Sequence, residues 1–349
     1  MVLAGLVVIL VASGILYQRI ATRRHRQRFA PPGEFVDVGG LPRRSRLWPS
    51  AKAGHRLHAH CMGAGSPVVL LEAGIAASSL SWSLVQSEIA SFTRVCAYDR
   101  AGFAWSDAAA VPATFERIVS ELTQVLARVA PDDRYVLVGH SFGGFVIRAY
   151  AERHPEKVVG LVLVDPPTEW LTMTPQRQRM LRRGQRLSRV GAVLAHIGVV
   201  RGSLALLTGG APGAPRRFVS LLGPTALRTL QRLVGEVKKL PVDVHPVVQE
   251  MWCQPKCFHS MAEHLGVLQR EGKALAALNP PPGIPVVVIS SGNQPPEQIA
   301  EHRELATRSA RARHVVAARS THWVQFDEPE LVVAAVKEIV ESLGSRLPR

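Results

Sequence analysis

From about residue 56 onward, short runs of consecutive apolar residues alternate with longer stretches whose apolar positions recur at helical spacing. Arg56–Cys61 and Pro67–Glu72 (PVVLLE) read as successive strands, and Ser81–Ala90 reads as a helix. Thr93–Tyr98 predicts a strand, Phe115–Ala130 an amphipathic helix, Tyr135–Gly139 (YVLVG) a strand and Phe142–Arg153 a helix. Val158–Val164 (VVGLVLV) predicts a strand that ends at Asp165. Pro285–Ser290 and His314–Ala318 add two more strands, and a closing helix runs from about Glu330 to Leu343. The strand runs are continuous and β-branched, as expected where helices cover both faces of a sheet. Their alternation with helices predicts an α/β chain with a doubly wound, mostly parallel sheet.

Between Asp165 and Pro285 the strand rhythm stops, and the pattern becomes helical and rich in Arg, Leu and Gly. This stretch reads as a helical cap inserted at the C-terminal edge of the sheet, where open α/β folds bind ligands. The expected organisation is an anchor with a basic flank over 1–28, a linker over 29–55, core over 56–166, cap over 167–283, and core again over 284–349. The linker includes a poorly patterned insert at Leu41–Arg46.

The N-terminal run Val2–Tyr17 carries no charge. As a helix it spans about 24 Å at ~1.5 Å per residue, short of a hydrocarbon core of about 30 Å. Extension to Ile20 closes the gap if Gln18 and Arg19 reach to the interface. Basic residues (Arg23, Arg24, Arg26, Arg28) follow the run rather than precede it. That order favours an uncleaved transmembrane anchor over a cleaved signal peptide. The positive-inside rule then keeps the enzyme cytoplasmic. Export with a cleaved signal peptide is the alternative.

The formal net charge of +15 is unevenly spread. Residues 18–56 contribute +8 and residues 168–239 contribute +11, which leaves the remainder slightly acidic. Two basic segments flanking an acidic body fit surfaces that meet anionic lipid. No nucleic-acid-binding motif accompanies the charge, so nucleic acid is not an expected partner. Within 177–197, apolar Met180, Leu187, Val190, Leu194 and Ile197 recur on one helical face, interleaved with six arginines. This cap helix is expected either to pack on the body with solvated arginines or to lie against a membrane and admit an apolar acyl substrate. Of the four cysteines, Cys61, Cys96, Cys253 and Cys257, no spacing defends a disulfide framework. Cys253 and Cys257 read as buried thiols rather than a metal site, and neither metal nor cofactor is implied.

Gly139-His140-Ser141-Phe142-Gly143 contains G-x-S-x-G, a weak pattern by itself. Here it follows an apolar strand and opens a helix, the setting a nucleophile elbow requires. Glycines two residues either side of the serine permit a turn too tight for Cβ atoms. The competing reading is a serine that merely caps the helix.

Four segments resemble the α/β-hydrolase superfamily over residues from about 56 to 345: Ala73-Gly74-Ile75, Tyr98–Ala104, Gly139–Gly144, and Ser320–Trp323 with Phe326–Glu330. The resemblance implies a serine hydrolase that cleaves a carboxylic ester or related acyl bond, with Ser141 as nucleophile and His322 as general base. It implies an oxyanion hole from the backbone N–H groups of Phe142 and Ile75. The third triad member is expected at Asp165, at the end of the strand after the elbow helix. Glu297 is the alternative, in the loop after the post-cap strand. Asp99 is expected to fix its own turn. A Ser-based C–C hydrolase, an acyltransferase, and a non-catalytic membrane receptor or scaffold of the same fold are the alternatives.

Overall fold

In the computed structural model, which describes residues 2–39, 54–131, 133–168, 173–208 and 235–344, five strands are buried at every position. These are β3 (Val68–Glu72), β4 (Val95–Tyr98), β5 (Tyr135–His140), β6 (Val158–Val164) and β7 (Val286–Ser291). With β1 (Glu34–Val38), β2 (His55–Met62) and β8 (Ala312–Ala317) they form an eight-stranded sheet in the order β1-β2-β4-β3-β5-β6-β7-β8. The β1–β2 and β2–β4 pairs are antiparallel, and every other pair is parallel.

Strand alternation sends side chains to two separate cores. Leu70, Leu137 and Leu161 face a core shared with α3 (Phe115–Val129) and α4 (Phe142–Arg153). Val69, Leu71, Val136, Val138 and Val162 face the other, packed against α2 (Ser83–Ala90) and the closing helix, Pro329–Gly344. This two-sided burial is the reason the strand runs carry no polar alternation. The start of α3 is fixed by Thr114, whose side chain accepts from the Arg117 N–H.

The N-terminal helix α1 (Val2–Arg28) continues past the apolar run into its basic flank. Ala4–Arg28 is long and apolar enough to cross a membrane, a criterion that a signal sequence also meets. The segment expected as a linker over 29–55 contains a strand instead. β1 pairs with β2 from Glu34↔Ala59 to Val38↔His55 and extends the sheet by one edge strand. Five residues with two buried valines are too short to stand out by periodicity, and the pairing that stabilises them lies about twenty residues away. The insert Leu41–Arg46 lies outside the described residues.

The cysteines also depart from expectation. Cys61 and Cys96 sit opposite each other on β2 and β4 and are joined by a disulfide. Only the strand register brings them together. Cys253 and Cys257 are buried free thiols, and burial pushes both up to about 12.

Between β6 and β7 the described cap residues are helical: α5 (Pro175–His196), α6 (Val199–Thr208), α7 (His245–Cys253) and α8 (Pro255–Ala276). The cap meets the body through α8, whose buried His264 stacks between Phe103 and Phe142 with ring centroids 5.5 and 5.3 Å apart. Besides the closing helix, two helices follow β7: α9 (Pro296–Thr307) and the short α10 (Val324–Asp327).

Candidate active site

Ser141 lies between β5 and α4 with φ 51° and ψ −122°, a backbone conformation that L-residues rarely adopt. The turn is held on both sides. Ser141 N–H donates to Val164 O at 2.9 Å, and Gly144 N–H donates to Ser141 O at 2.8 Å. The flanking glycines are required by close approach. A Cβ at Gly139 would lie 2.7 Å from the Gly143 carbonyl, and one at Gly143 would lie 2.4 Å from Glu72 O. The serine stands at the start of α4, where the first backbone N–H groups lack intrahelical partners and carry partial positive charge. Its side chain makes no capping bond to the helix, so the capping reading has no support in the geometry.

His322 follows β8, in a loop pinned by two carboxylates, Asp327 at the end of α10 and Glu328 just before the closing helix. Asp327 Oδ2 accepts from Thr321 N–H at 2.9 Å and from Thr321 Oγ1 at 2.8 Å, while Glu328 Oε2 accepts from Ser320 Oγ at 3.0 Å. His140 supports the same loop. Its Nε2–H donates to the His322 carbonyl at 2.8 Å, and the two rings lie 4.7 Å apart. Burial, with the neighbouring His322, pushes the His140 imidazole down to about 3, so it remains neutral.

Asp165 ends β6 at φ 43° and is fully buried. Its Oδ2 accepts from His322 Nδ1 at 2.6 Å and from Gln294 Nε2 at 2.6 Å, and its Oδ1 accepts from Ser291 N–H at 3.0 Å. Burial alone would push the carboxyl up. The His322 hydrogen bond and charge, with the Ser291 and Gln294 donors, outweigh that and hold it below its ordinary value. Glu297, the alternative acid, is exposed in the first turn of α9. The end of β7 and the loop after it, where the alternative acid was placed, instead supply two donors to Asp165, Ser291 N–H and Gln294. Neither was legible beforehand, because donors to a carboxylate have no fixed sequence spacing.

A second support lies behind Asp165. The buried His302 donates from Nε2 to Pro166 O at 2.6 Å. Its Nδ1 then accepts from Ser290 Oγ, which in turn accepts from His314 Nε2, each at 2.7 Å. This chain ties the segment after Asp165 to α9 and β8.

Ile75 is positioned by Arg100, part of the Tyr98–Ala104 segment. Arg100 donates to Ala73 O at 2.6 Å, to Gly74 O, and to the buried Glu72 carboxylate, which also accepts from Tyr98 OH. Two carbonyls of the loop are thereby turned toward a guanidinium, fixing the peptide planes just before Ile75. Asp99 holds its own surroundings: it accepts from Ser79 N–H at 2.8 Å and Trp105 N–H at 3.4 Å, and pairs with the buried His58 at 2.9 Å.

Ser141, His322, Asp165, Phe142 and Ile75 line one cavity of about 200 Å³, together with Leu268 of α8 and Gln294. All five residues expected at the site are thus brought together, and Glu297 is not among them.

The family model for the alpha/beta hydrolase fold matches residues 67–190, from the start of β3 into α5. The chain has the α/β-hydrolase fold, and residues 67–190 match that family. It is similar to 2-hydroxymuconate semialdehyde hydrolase of a Pseudomonas species, at 38% identity over 117 residues, covering 32% of this chain and 40% of that one. It also resembles the rat (Rattus norvegicus) protein 1-acylglycerol-3-phosphate O-acyltransferase ABHD5, at 27% identity over 113 residues and 32% of each chain. Among solved structures, a thermophilic esterase from Thermogutta terrifontis superposes with a TM-score of 0.59 at 20% identity, covering 89% of this chain and 99% of that one. The chain spans less than half the length of these curated relatives. Fold and hydrolase-named relatives together support a hydrolase-like enzyme.

Proposed function

We propose that the protein is a serine hydrolase that cleaves a carboxylic ester or related acyl bond. The observation that carries this reading is Ser141 on its strained elbow, sharing a cavity with a His322 whose Nδ1 is engaged by Asp165. With Nδ1 donating to the carboxylate, Nε2 is the nitrogen left to take the serine proton. Ser141 Oγ attacks the acyl carbon, and the carbonyl oxygen becomes an oxyanion that accepts from the N–H groups of Ile75 and Phe142. The tetrahedral adduct collapses, and the leaving alkoxide departs with the proton held by His322. Water, deprotonated by His322, then attacks the acyl-serine, and the acid leaves as His322 returns that proton to Ser141 Oγ. A fluorophosphonate probe tests the class. Labelling of wild type but not of Ser141→Ala supports the hydrolase, and absence of labelling favours the non-catalytic scaffold. A panel of p-nitrophenyl esters of increasing acyl length then reads the pocket.

A second reading, favoured by the names of the O-acyltransferase and semialdehyde-hydrolase relatives, keeps the same site but changes the bond or the acceptor. Added alcohol acceptors separate transfer from hydrolysis by the ratio of ester to acid formed.

The reading includes α1 as a retained anchor. Gln18, in its middle, is buried and donates to Cys253 O at 2.9 Å, so the helix is built into the cap rather than appended to it. For the side of the membrane, the basic flank favours a cytoplasmic catalytic domain. The Cys61–Cys96 disulfide favours export, since such bonds persist in oxidising compartments. We give the disulfide more weight, because it lies within the folded domain.

A further inference from the structure

The middle of α1 is clasped by the cap through a buried polar cluster. Arg201 of α6 donates from Nη1 and Nη2 to the two Glu250 oxygens of α7, each at 2.6 Å. The same guanidinium reaches α1, with Nε donating to Gln18 Oε1 at 2.8 Å and Nη2 to Thr22 Oγ1 at 3.0 Å. Thr22 in turn donates to Glu250 Oε1 at 3.0 Å. One turn earlier the backbones touch. A Cβ at Gly14 would lie 2.2 Å from Ile197 O, and one at Gly198 would lie 2.8 Å from Gly14 O. The C-terminal end of α5 therefore abuts α1 where its apolar half gives way to its polar half.

On the N-terminal side of that crossing, α1 exposes Leu6, Val7, Val8, Ile9 and Leu10. The cap adds to this apolar surface. α5 buries Leu181, Ser188, Ala192 and Ala195 on one face. On the opposite face, within about three turns of the crossing, it exposes Leu187 (60%), Val190 (55%) and Val193 (62%). Farther from the crossing the exposed residues are Arg179, Arg182, Arg183 and Arg186, with Met180 among them, and Arg189 is exposed between Leu187 and Val190. A helix face on which aliphatic residues predominate near one end and arginines near the other, fixed beside an apolar helix of membrane-spanning length, matches the chemistry of a bilayer interface.

We propose that this face of α5 is a membrane-docking surface. An anionic bilayer takes Leu187, Val190 and Val193 into the hydrocarbon boundary and pairs its headgroup phosphates with the arginines. The clasp sets the orientation, since α1 cannot turn without breaking the contacts to Arg201 and Glu250. α5 packs on α8, whose Leu268 lines the catalytic cavity, so two helices, α5 and α8, separate the bilayer from Ser141. This inference deepens the acyl-ester reading, and rests on it, only in naming a lipid ester as the substrate class.

The test uses full-length protein in phosphatidylcholine–phosphatidylglycerol vesicles. Spin labels are placed at Val190→Cys or Val193→Cys, with Glu297→Cys on the exposed turn of α9 as the aqueous reference. The two free native thiols are buried. The expected result is a severalfold higher ratio of oxygen to water-soluble nickel collision rates at both α5 positions than at the reference. A ratio equal to the reference overturns the proposal. So does dipolar broadening between labels, which would place a second copy of the chain on this face instead. Fluorophosphonate labelling of the same samples reports on Ser141 separately. Its loss with lipid contact intact sinks the hydrolase reading and leaves the docking face standing.

Discussion

Gln294 Nε2 and His322 Nδ1 donate to the same oxygen of Asp165, Oδ2, each at 2.6 Å. The carboxylate is therefore oriented by a neutral amide as well as by the histidine, and its other oxygen is held by Ser291 N–H. A carboxylate with three donors is fixed in rotation, and so fixes the imidazole plane.

Removal of the acid and removal of its support are expected to differ in degree. Asp165→Asn should lower kcat by about 10⁴-fold, as a wrong imidazole tautomer does. Gln294→Leu keeps the acid but frees its rotation, and should cost roughly tenfold, the low end for a group that orients a ligand from behind. Glu297→Gln should stay within twofold of wild type. Steady-state kinetics on a soluble ester measures all three. A Glu297 variant weaker than the Asp165 variant would move the acid to α9.

Ser141→Ala should remove turnover by about 10³-fold or more while the chain still folds. Gly143→Ala should fail differently. Its Cβ would lie 2.4 Å from Glu72 O, a backbone atom of a fully buried strand that has no room to move. Reduced thermal stability with loss of probe labelling is expected, whereas Ser141→Ala should melt within a few degrees of wild type. A Gly143→Ala protein of wild-type stability would mean that the elbow is not packed as described.

The buried His140 gives the fold an acid-sensitive element. Its folded-state value of about 3 lies below the ordinary value of 6.5, so the unfolded chain binds the extra proton between those limits. Stability is thus lost progressively as pH falls from about 6.5 toward 3. His140→Gln keeps a donor for the His322 carbonyl but cannot titrate. The gap in stability between the two proteins should narrow or reverse as pH falls through this window, read from urea midpoints. A gap independent of pH would show that His140 is not buried neutral.

The Cys61–Cys96 bond predicts that two cysteines of protein isolated from its native cells without reductant resist alkylation until reduction, even after unfolding, while Cys253 and Cys257 react on unfolding alone. Cys61→Ser should destabilise the domain by about 2–4 kcal/mol, the usual range for a native disulfide. Four thiols reactive on unfolding would place the catalytic domain on the reducing side.

The sequence by itself determined the fold class and the place of the proposed nucleophile. Strands buried on both faces are written as continuous β-branched runs, and the elbow needs glycines at fixed offsets from Ser141, so both are local signals. His322 and Asp165 were legible as positions at strand ends, since parallel strands deliver their C-terminal ends to one edge of the sheet. Only the tertiary structure showed that Asp165 contacts His322, because that contact, at 2.6 Å, spans 157 residues of chain. It also decided the pairing of Cys61 with Cys96, the extra strand β1, and the roles of Gln294, Arg100 and His140. Each depends on register or on contacts between distant segments, which periodicity along one chain does not encode. The same holds for α5. The arginines and aliphatic residues of 177–197 were evident as letters, but which of them face outward was set by its packing on α8 and by the crossing of Gly14 with Ile197.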